Sequence, residues 1–392
     1  MTPAATSISV AGASEPVARA APRPPVPFFD LGPSHAPVRE AILADLAALI
    51  DSGTFTNGPP VRAFEEAFAR WCGSARCVGV SSGLDALRIG LRAAGLEPGD
   101  EVVVPANTFV ATFESVTQAG GRPVVVDASE RDFGLDADAF AAACSRRTRF
   151  VLPVHLYGQM ADMRRIVEVA RRHEVEILED ACQAHGAERD GLRAGAVGRA
   201  GAFSFYPAKN LGAMGDAGAL VSDEVALAAE AELLREHGQR RKYRHERDGY
   251  TARLDTIQAV VLLQKLPLLD AWTAERRRAA AFYAETLAGV GDLRLPEVVE
   301  GSAPVWHLYV VRTGDPEALA GALAERGIGS GRHYPEPVHL SPAYASLGHG
   351  PGDFPVAERL AREVVSLPLF PGITEEQLEA VVAAIRDFFR RG

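Results

Sequence analysis

"RCVGVSSGLDALRIGLRAAGLEPGDEVVVPA", residues 76–106, decides how this chain folds. "RCVGV" is an apolar run of strand length that ends in Ser81, Ser82 and Gly83. "DALRIGLRAAG" follows, with apolar residues three and four apart and a glycine stop, so a helix is expected. "EVVVPA" is a second apolar run, with no polar alternation. A strand without alternation is covered on both faces, which is the habit of parallel sheets.

The same alternation continues toward the C-terminus. "FVATFESVTQAG", "DADAFAAAC" and "MRRIVEVARRHE" read as helices. "RPVVVD", "TRFVLPVHLYG", "VEILED", "GAFSFYP" and "AGALVSD" read as strands. The expected fold is therefore α/β, in three layers: a mostly parallel sheet flanked by helices, with right-handed crossovers. Functional groups are then expected beyond the C-terminal ends of the strands. Toward the N-terminus, "PVREAILADLAALIDSG" and "VRAFEEAFARWCG" read as helices, and residues 1–27, rich in Ala, Pro and Ser, as a disordered tail. From Asp255 onward the pattern is long and helical, with a break expected at Pro267. The strand "VWHLYVVRT" and the helices "DPEALAGALAERG" and "TEEQLEAVVAAIRDFF" then suggest a smaller α/β domain. The expected division is a large domain over 28–270 and a small one over 271–392.

With 392 residues the chain exceeds what one simple core covers, in line with two domains. Its net charge of −10 argues against nucleic acid as the main partner. No apolar run reaches the ~18 residues of a membrane span. No charged segment followed by an apolar one marks a secretory signal. Cys72, Cys77, Cys144 and Cys182 form no CxxC pair, so a zinc site is not expected. Reduced thiols in a cytoplasmic protein fit them better, and only Cys182 has neighbours of chemical interest.

Three motifs carry chemistry. At Ser81–Ser82–Gly83 a strand gives way to a helix, whose free N–H groups favour an anion. In "VEILEDACQAHGA" an apolar strand delivers Glu179 and Asp180 at its end, where a carboxylate needs a positive partner or serves as a helix cap. In "FSFYPAKNLGAMGDAG", residues 203–218, Lys209 stands alone between aromatic residues and glycines. A lysine in apolar surroundings tends toward a lowered pKa and can attack a carbonyl, or it can snorkel from a loop. The order of the three fits pyridoxal 5'-phosphate (PLP). The turn would take the phosphate, the aspartate would keep the pyridine nitrogen protonated, and the lysine would hold the aldehyde. The absence of a Walker loop and of GxGxxG leaves nucleotide hydrolysis and dinucleotide binding unsupported.

With these motifs, and with "SSGLDAL", "VPANTFVAT", "PVHLYGQ", "EDACQAHGA", "GYTARLDTIQA" and "FPVAERLAREVVSLPLFPGIT", the chain resembles the DegT/DnrJ/StrS family. These are PLP-dependent sugar aminotransferases of the aspartate-aminotransferase fold group. The resemblance runs from Phe28 to the C-terminus. It implies that Lys209 is the Schiff-base lysine, that Asp180 partners the pyridinium nitrogen, that Gln183 lies beside the ring oxygen and that Phe109 stacks on the ring. It implies phosphate contacts from Ser204 and from the amides of Gly83 and Leu84. It places Tyr206, His333 and Tyr334 where relatives meet the sugar; His185, two residues past Gln183, is within reach of the same site. His155, His307 and His339 read as structural. Two positions depart from the pattern. Leu84 stands where many members have threonine, and Thr251 where many have an asparagine that reaches the partner subunit's phosphate.

The resemblance further implies a homodimer with shared sites and a keto-sugar nucleotide and L-glutamate as substrates. "GRHYPEPVHLSPAYASLG" is most similar to members that aminate carbon 3 of a 3-keto-6-deoxyhexose, often on dTDP. The Ala- and Arg-rich composition is associated with genomes in which such sugars decorate antibiotics. Amination at carbon 4 or of a keto-inositol, a PLP-dependent sugar dehydratase, and a sensor that only binds are the alternatives. The dehydratases carry histidine where Lys209 stands.

Overall fold

The computed structural model describes residues 25–391. The expected disordered tail lies, up to residue 24, outside the described residues. Its last part differs from expectation. Val26 is buried and bridges Ile328, its N–H 3.0 Å from the Gly327 carbonyl and its own carbonyl taking the Gly329 N–H at 2.8 Å. A single apolar side chain among prolines suffices to dock the chain there.

Seven strands form the central sheet: β1 (Arg76–Val80), β2 (Glu101–Pro105), β3 (Arg122–Val126), β4 (Thr148–Val151), β5 (Glu176–Asp180), β6 (Ala200–Ser204) and β7 (Gly218–Ser222). Their order is β1-β7-β6-β5-β4-β2-β3. β7 is antiparallel to both neighbours, and all other pairs are parallel. Six strands therefore end at one edge, and β7 begins there. Alternate residues feed two separate apolar clusters. Val103, Val151, Phe203 and Val221 meet helices Pro59–Cys72, Met163–His173 and Thr256–Lys265. Val102, Val104, Leu178 and Leu220 meet helices Gly83–Ala93, Ala111–Ala119 and Val225–Arg235. That is the expected three-layer α/β arrangement.

Local chemistry sets the helix ends. Ser82 Oγ accepts the Asp85 N–H at 3.1 Å and caps Gly83–Ala93. Helix Thr256–Lys265 runs into a 3-10 turn at Leu266–Leu268, which contains Pro267, before Leu269–Thr286 resumes.

A second, two-stranded antiparallel sheet pairs β8 (Tyr309–Arg312) with β9 (Val364–Leu367). Helices Leu269–Thr286, Pro316–Ala324 and Glu375–Arg391 cover it, and Val26 joins the same cluster. Val338, Tyr344, Phe354 and Ala357 pack instead into a cluster of the large sheet. The apolar packing thus does not follow one cut near residue 270. Among the described residues no helix is long and apolar enough to cross a membrane.

Candidate active site

The edge where six strands end opens on a cavity of about 540 Å³, lined by residues at and beyond those strand ends, by Phe29 and by His307, Leu308, His333 and Tyr334. β1 leads into the turn Ser81–Ser82–Gly83. A methyl group on Gly83 would lie 2.7 Å from Cys182 Sγ and 2.7 Å from Ser204 Cβ. One on Gly218 would lie 2.3 Å from the Ser82 carbonyl. The ends of β1 and β6 and the start of β7 therefore meet with no side chain between them. Among the described residues, the N–H groups of Gly83 and Leu84 donate to no acceptor. They face a space that Ser82 and Ser204 also line. Free donors at the start of a helix favour an anion.

β5 ends in two carboxylates with different tasks. Glu179 is fully buried and satisfied within the protein. It accepts from the N–H groups of Gly195 at 2.9 Å, Val197 at 2.6 Å and Gly198 at 2.7 Å. It also meets His155 Nε2 at 2.9 Å, and the Ala161 N–H faces the other ring nitrogen of His155 at 3.3 Å. Nδ1 therefore accepts and Nε2 donates, a structural role. Asp180 instead lines the cavity. The Thr112 hydroxyl donates to one oxygen at 2.8 Å, and the Cys182 N–H to the other at 3.2 Å. Thr108 lies 2.8 Å from Thr112 and extends the chain of hydroxyls. Burial, and then Asp180, push the Cys182 thiol well above its usual range.

Lys209 projects from the loop between β6 and β7 into the same cavity. Burial lowers its pKa, and the nearby Cys182 and Asp180 partly oppose that shift. Its backbone N–H closes a turn on the Tyr206 carbonyl at 2.8 Å. The next residue, Asn210, donates to the Val305 carbonyl at 2.9 Å and meets His307 Nδ1 at 3.3 Å. Gln183 takes the Tyr157 N–H at 2.8 Å and donates to the Tyr334 hydroxyl oxygen at 3.1 Å. The Tyr334 proton is left to face the cavity. Phe109 lies with its ring 5.5 Å from that of Tyr334 and half exposed. His333 Nδ1 meets Ser366 Oγ at 2.8 Å, and its ring stacks on Phe28 at 5.6 Å. Burial, and then Lys209, push His333 down to about 4, so the ring is neutral.

The cavity brings together Gly83, Leu84, Phe109, Asp180, Gln183, Ser204, Tyr206, Lys209, His333 and Tyr334 from the sequence reading. Two expected site residues lie elsewhere. His185 is fully buried, packed 5.3 Å from Phe203 and 5.7 Å from Phe205, and is absent from the cavity wall. The turn after β5 carries it under the sheet into the aromatic cluster. Thr251 is exposed and contacts His237 at 3.2 Å, outside the cavity of its own chain. His307 differs in the other sense: read as structural, it lines the cavity and is buried. Thr108, Thr112 and Asn210 escaped notice. The two threonines, one helical turn apart in "VPANTFVAT", were the available signal.

Fold and cavity together define a class, the pyridoxal-phosphate transferases built on a mostly parallel three-layer sheet. The particular family follows from comparison. The chain belongs to the DegT/DnrJ/EryC1/StrS aminotransferase family, whose profile matches residues 37–386. It is 45% identical to a dTDP-3-amino-3,4,6-trideoxy-alpha-D-glucose transaminase of Streptomyces venezuelae, over 94% of this chain and 97% of the relative. The solved structure of S. venezuelae DesV, in complex with a ketimine intermediate, superimposes with a TM-score of 0.92 at 44% identity, covering 94% of this chain and 100% of DesV. The structure of ntda from Bacillus subtilis with bound cofactor PMP matches with a TM-score of 0.87 at 31% identity, covering 95% of this chain and 86% of ntda.

Proposed function

We propose that this chain transfers an amino group from L-glutamate to a keto-deoxysugar carried on a nucleotide. The best-supported acceptor is a dTDP-linked 3-keto-6-deoxyhexose, aminated at carbon 3. The relation to the S. venezuelae transaminase, over nearly the full length of both chains, supports that acceptor. The observation that carries the reading is Lys209, which shares one cavity with Asp180 and a helix start cleared of side chains.

The residues present fit pyridoxal 5'-phosphate. The free N–H groups of Gly83 and Leu84, with Ser82 and Ser204, suit its phosphate. The close backbone packing at Gly83 and Gly218 leaves room for that phosphate, which a β-carbon at either position would upset. Asp180, oriented by Thr112 and Cys182 N–H, suits the protonated ring nitrogen; Phe109 suits the ring face and Gln183 the ring oxygen. Lys209 would be the amine that holds the cofactor at its aldehyde. When bound, the cofactor supplies an electron sink for the carbon that loses its proton.

The rest of the chemistry belongs to the protein's own groups. Burial lowers the Lys209 pKa, which eases the amine's loss and uptake of a proton. The Asp180 carboxylate holds positive charge on the far side of the site. The Tyr334 hydroxyl and the neutral His333 ring, with Tyr206 at the rim, offer contacts to the sugar. Lys209 occupies the position where the dehydratases of this fold have histidine, which favours transamination over dehydration.

The site is shared between two chains in this reading. Lys209 is the sole lysine or arginine among the residues lining the cavity, whereas both substrates and the cofactor carry negative charge. The hairpin Gln239–Arg241 and Arg244–His245 presents Arg241, Lys242 and Arg244 to solvent, and Thr251 is exposed nearby. A homodimer lets one chain's hairpin supply positive charge to the other chain's cavity. The four free cysteines suit a cytoplasmic enzyme.

The test is the visible absorption of the purified protein with PLP, before and after L-glutamate. Loss of the lysine-bound cofactor band on adding glutamate, and its return with a dTDP-3-keto-6-deoxyhexose, is the expected result. Return of the band with a 4-keto sugar or a keto-inositol alone would replace the proposed acceptor. A band indifferent to every donor would leave a binding protein.

A further inference from the structure

Lys265 is nearly fully buried, at 2% exposure, and among the described residues it forms no salt bridge. An ammonium buried without a carboxylate is a cost to the fold. All three of its donors nevertheless find a place. One goes to the Gly212 carbonyl. A second faces His35 Nε2 at 3.5 Å. The other nitrogen of that ring, Nδ1, lies 2.7 Å from the Leu31 carbonyl and so must carry the proton, which leaves Nε2 as an acceptor. The third direction meets the face of Trp272, whose ring centre is 5.7 Å away.

Gly212 belongs to the loop that carries Lys209. A β-carbon on Gly212 would lie 2.1 Å from the Pro207 carbonyl, so the loop folds back on itself there without room for a side chain. The Lys209 N–H bonds the Tyr206 carbonyl and the Ala213 N–H bonds the Phe205 carbonyl, at 2.8 and 2.7 Å. These bonds shape the loop but do not fix where it sits. Its outward fixings are side chains: Asn210 to Val305 and, from one helix, Gln258 and Lys265. Gln258 takes the Met214 N–H at 2.8 Å at the loop's far end. Of the two helix residues it is Lys265 that reaches the closed part, which Asn210 ties to Val305 from another side.

We infer that Lys265 is a positioning residue for Lys209: its ammonium ties the Gly212 carbonyl, and with it the lysine loop, to helix Thr256–Lys265. Through His35 the same ammonium links this loop to the N-terminal segment whose Phe29 lines the cavity. The inference rests on the reading of Lys209 as the cofactor lysine, but its first measurement does not.

Hydrogen exchange of the full chain, with and without PLP, tests it on Lys265→Met and Lys265→Arg. In the methionine variant the amides of residues 206–214 are expected to exchange at least about tenfold faster, the protection lost with roughly one charged hydrogen bond. The strands of the central sheet should exchange as in the parent. Arginine should restore most of the protection. In the loaded protein the pKa of the lysine-bound cofactor band should move in the methionine variant and return with arginine. Should Lys265→Met not fold, Lys265→Gln, too short to reach Gly212, takes its place with the same expected result. Unchanged exchange in residues 206–214 overturns the proposal. So does faster exchange spread evenly over the sheet, which would make Lys265 a support of the fold at large. A shifted exchange pattern with no cofactor band in the parent protein would instead retire the aminotransferase reading and leave the tether standing.

Discussion

In the proposed reaction Lys209 and Asp180 divide the labour of the site, and each depends on a neighbour. Lys209→Ala should lower turnover by at least roughly 10⁴-fold, because both the covalent hold and the proton carrier go. Its circular dichroism should match the parent, and the lysine-bound cofactor band should be absent. Thr112→Val removes one of the two hydrogen bonds that orient Asp180. A kcat lowered about tenfold is expected, from the loss of one hydrogen bond to a charged group, with KM for glutamate little changed. His185 makes a prediction about stability. Burial, and then the charge of Lys209, push its pKa down to about 3. The native ring stays neutral while the unfolded one takes up a proton below its ordinary 6.5. Stability is therefore full above that value and lost as pH falls toward 3, by roughly a kcal/mol per pH unit. His185→Leu should flatten the fall of the thermal midpoint with pH between those limits. A variant that loses stability as steeply as the parent would place the titration elsewhere.

At the scale of elements, the approach of β1, β6 and β7 at Gly83 and Gly218 makes the proposed cofactor cradle. Gly83→Ala puts a methyl 2.7 Å from Ser204 Cβ. A destabilisation of about 1–3 kcal/mol is expected from overpacking, together with a weaker PLP dissociation constant measured by absorbance titration. The elements themselves were largely legible. Continuous apolar strands such as "EVVVP", separated by helices ended at glycine, admit few other folds, and Pro267 marked its own break. What stayed hidden depends on long-range packing. The reversal of β7 cannot be read from "GALVS", because a strand buried on both faces looks the same in either direction. His185 has the same neighbours in sequence as the site residues, yet the turn after β5 points it at Phe203 and Phe205. "VWHLYVVRT" reads as one strand, but β8 begins only at Tyr309, which frees His307 to face the cavity. Thr112 gains its role only because Asp180, remote in sequence, ends beside it. Backbone order is written locally; partners across the sheet are not.

The whole molecule raises the question of where positive charge comes from. A cavity with one lysine and no arginine among its lining residues suits anionic ligands poorly by itself. Two variants check the shared site. One carries Lys209→Ala; the other replaces Arg241, Lys242 and Arg244 with serine. Each alone should be inactive or strongly impaired. Refolded together, they should regain activity, since some dimers then pair an intact lysine with an intact hairpin from the other chain. No recovery from the mixture, with dimers present by sedimentation, would confine each site to one chain. The reversed strand has a consequence in time as well as in space. β6 and β7 are joined by a single loop, residues 205–217, and can pair early, since far less chain entropy is lost in closing it than in bringing β1 alongside. β1 comes from far back in the sequence, and long-range pairings of this kind form slowly. Lys209 is thus in place before Ser82 meets Gly218. During refolding, capture of the cofactor phosphate should trail the appearance of strand structure and report the closing of that last seam.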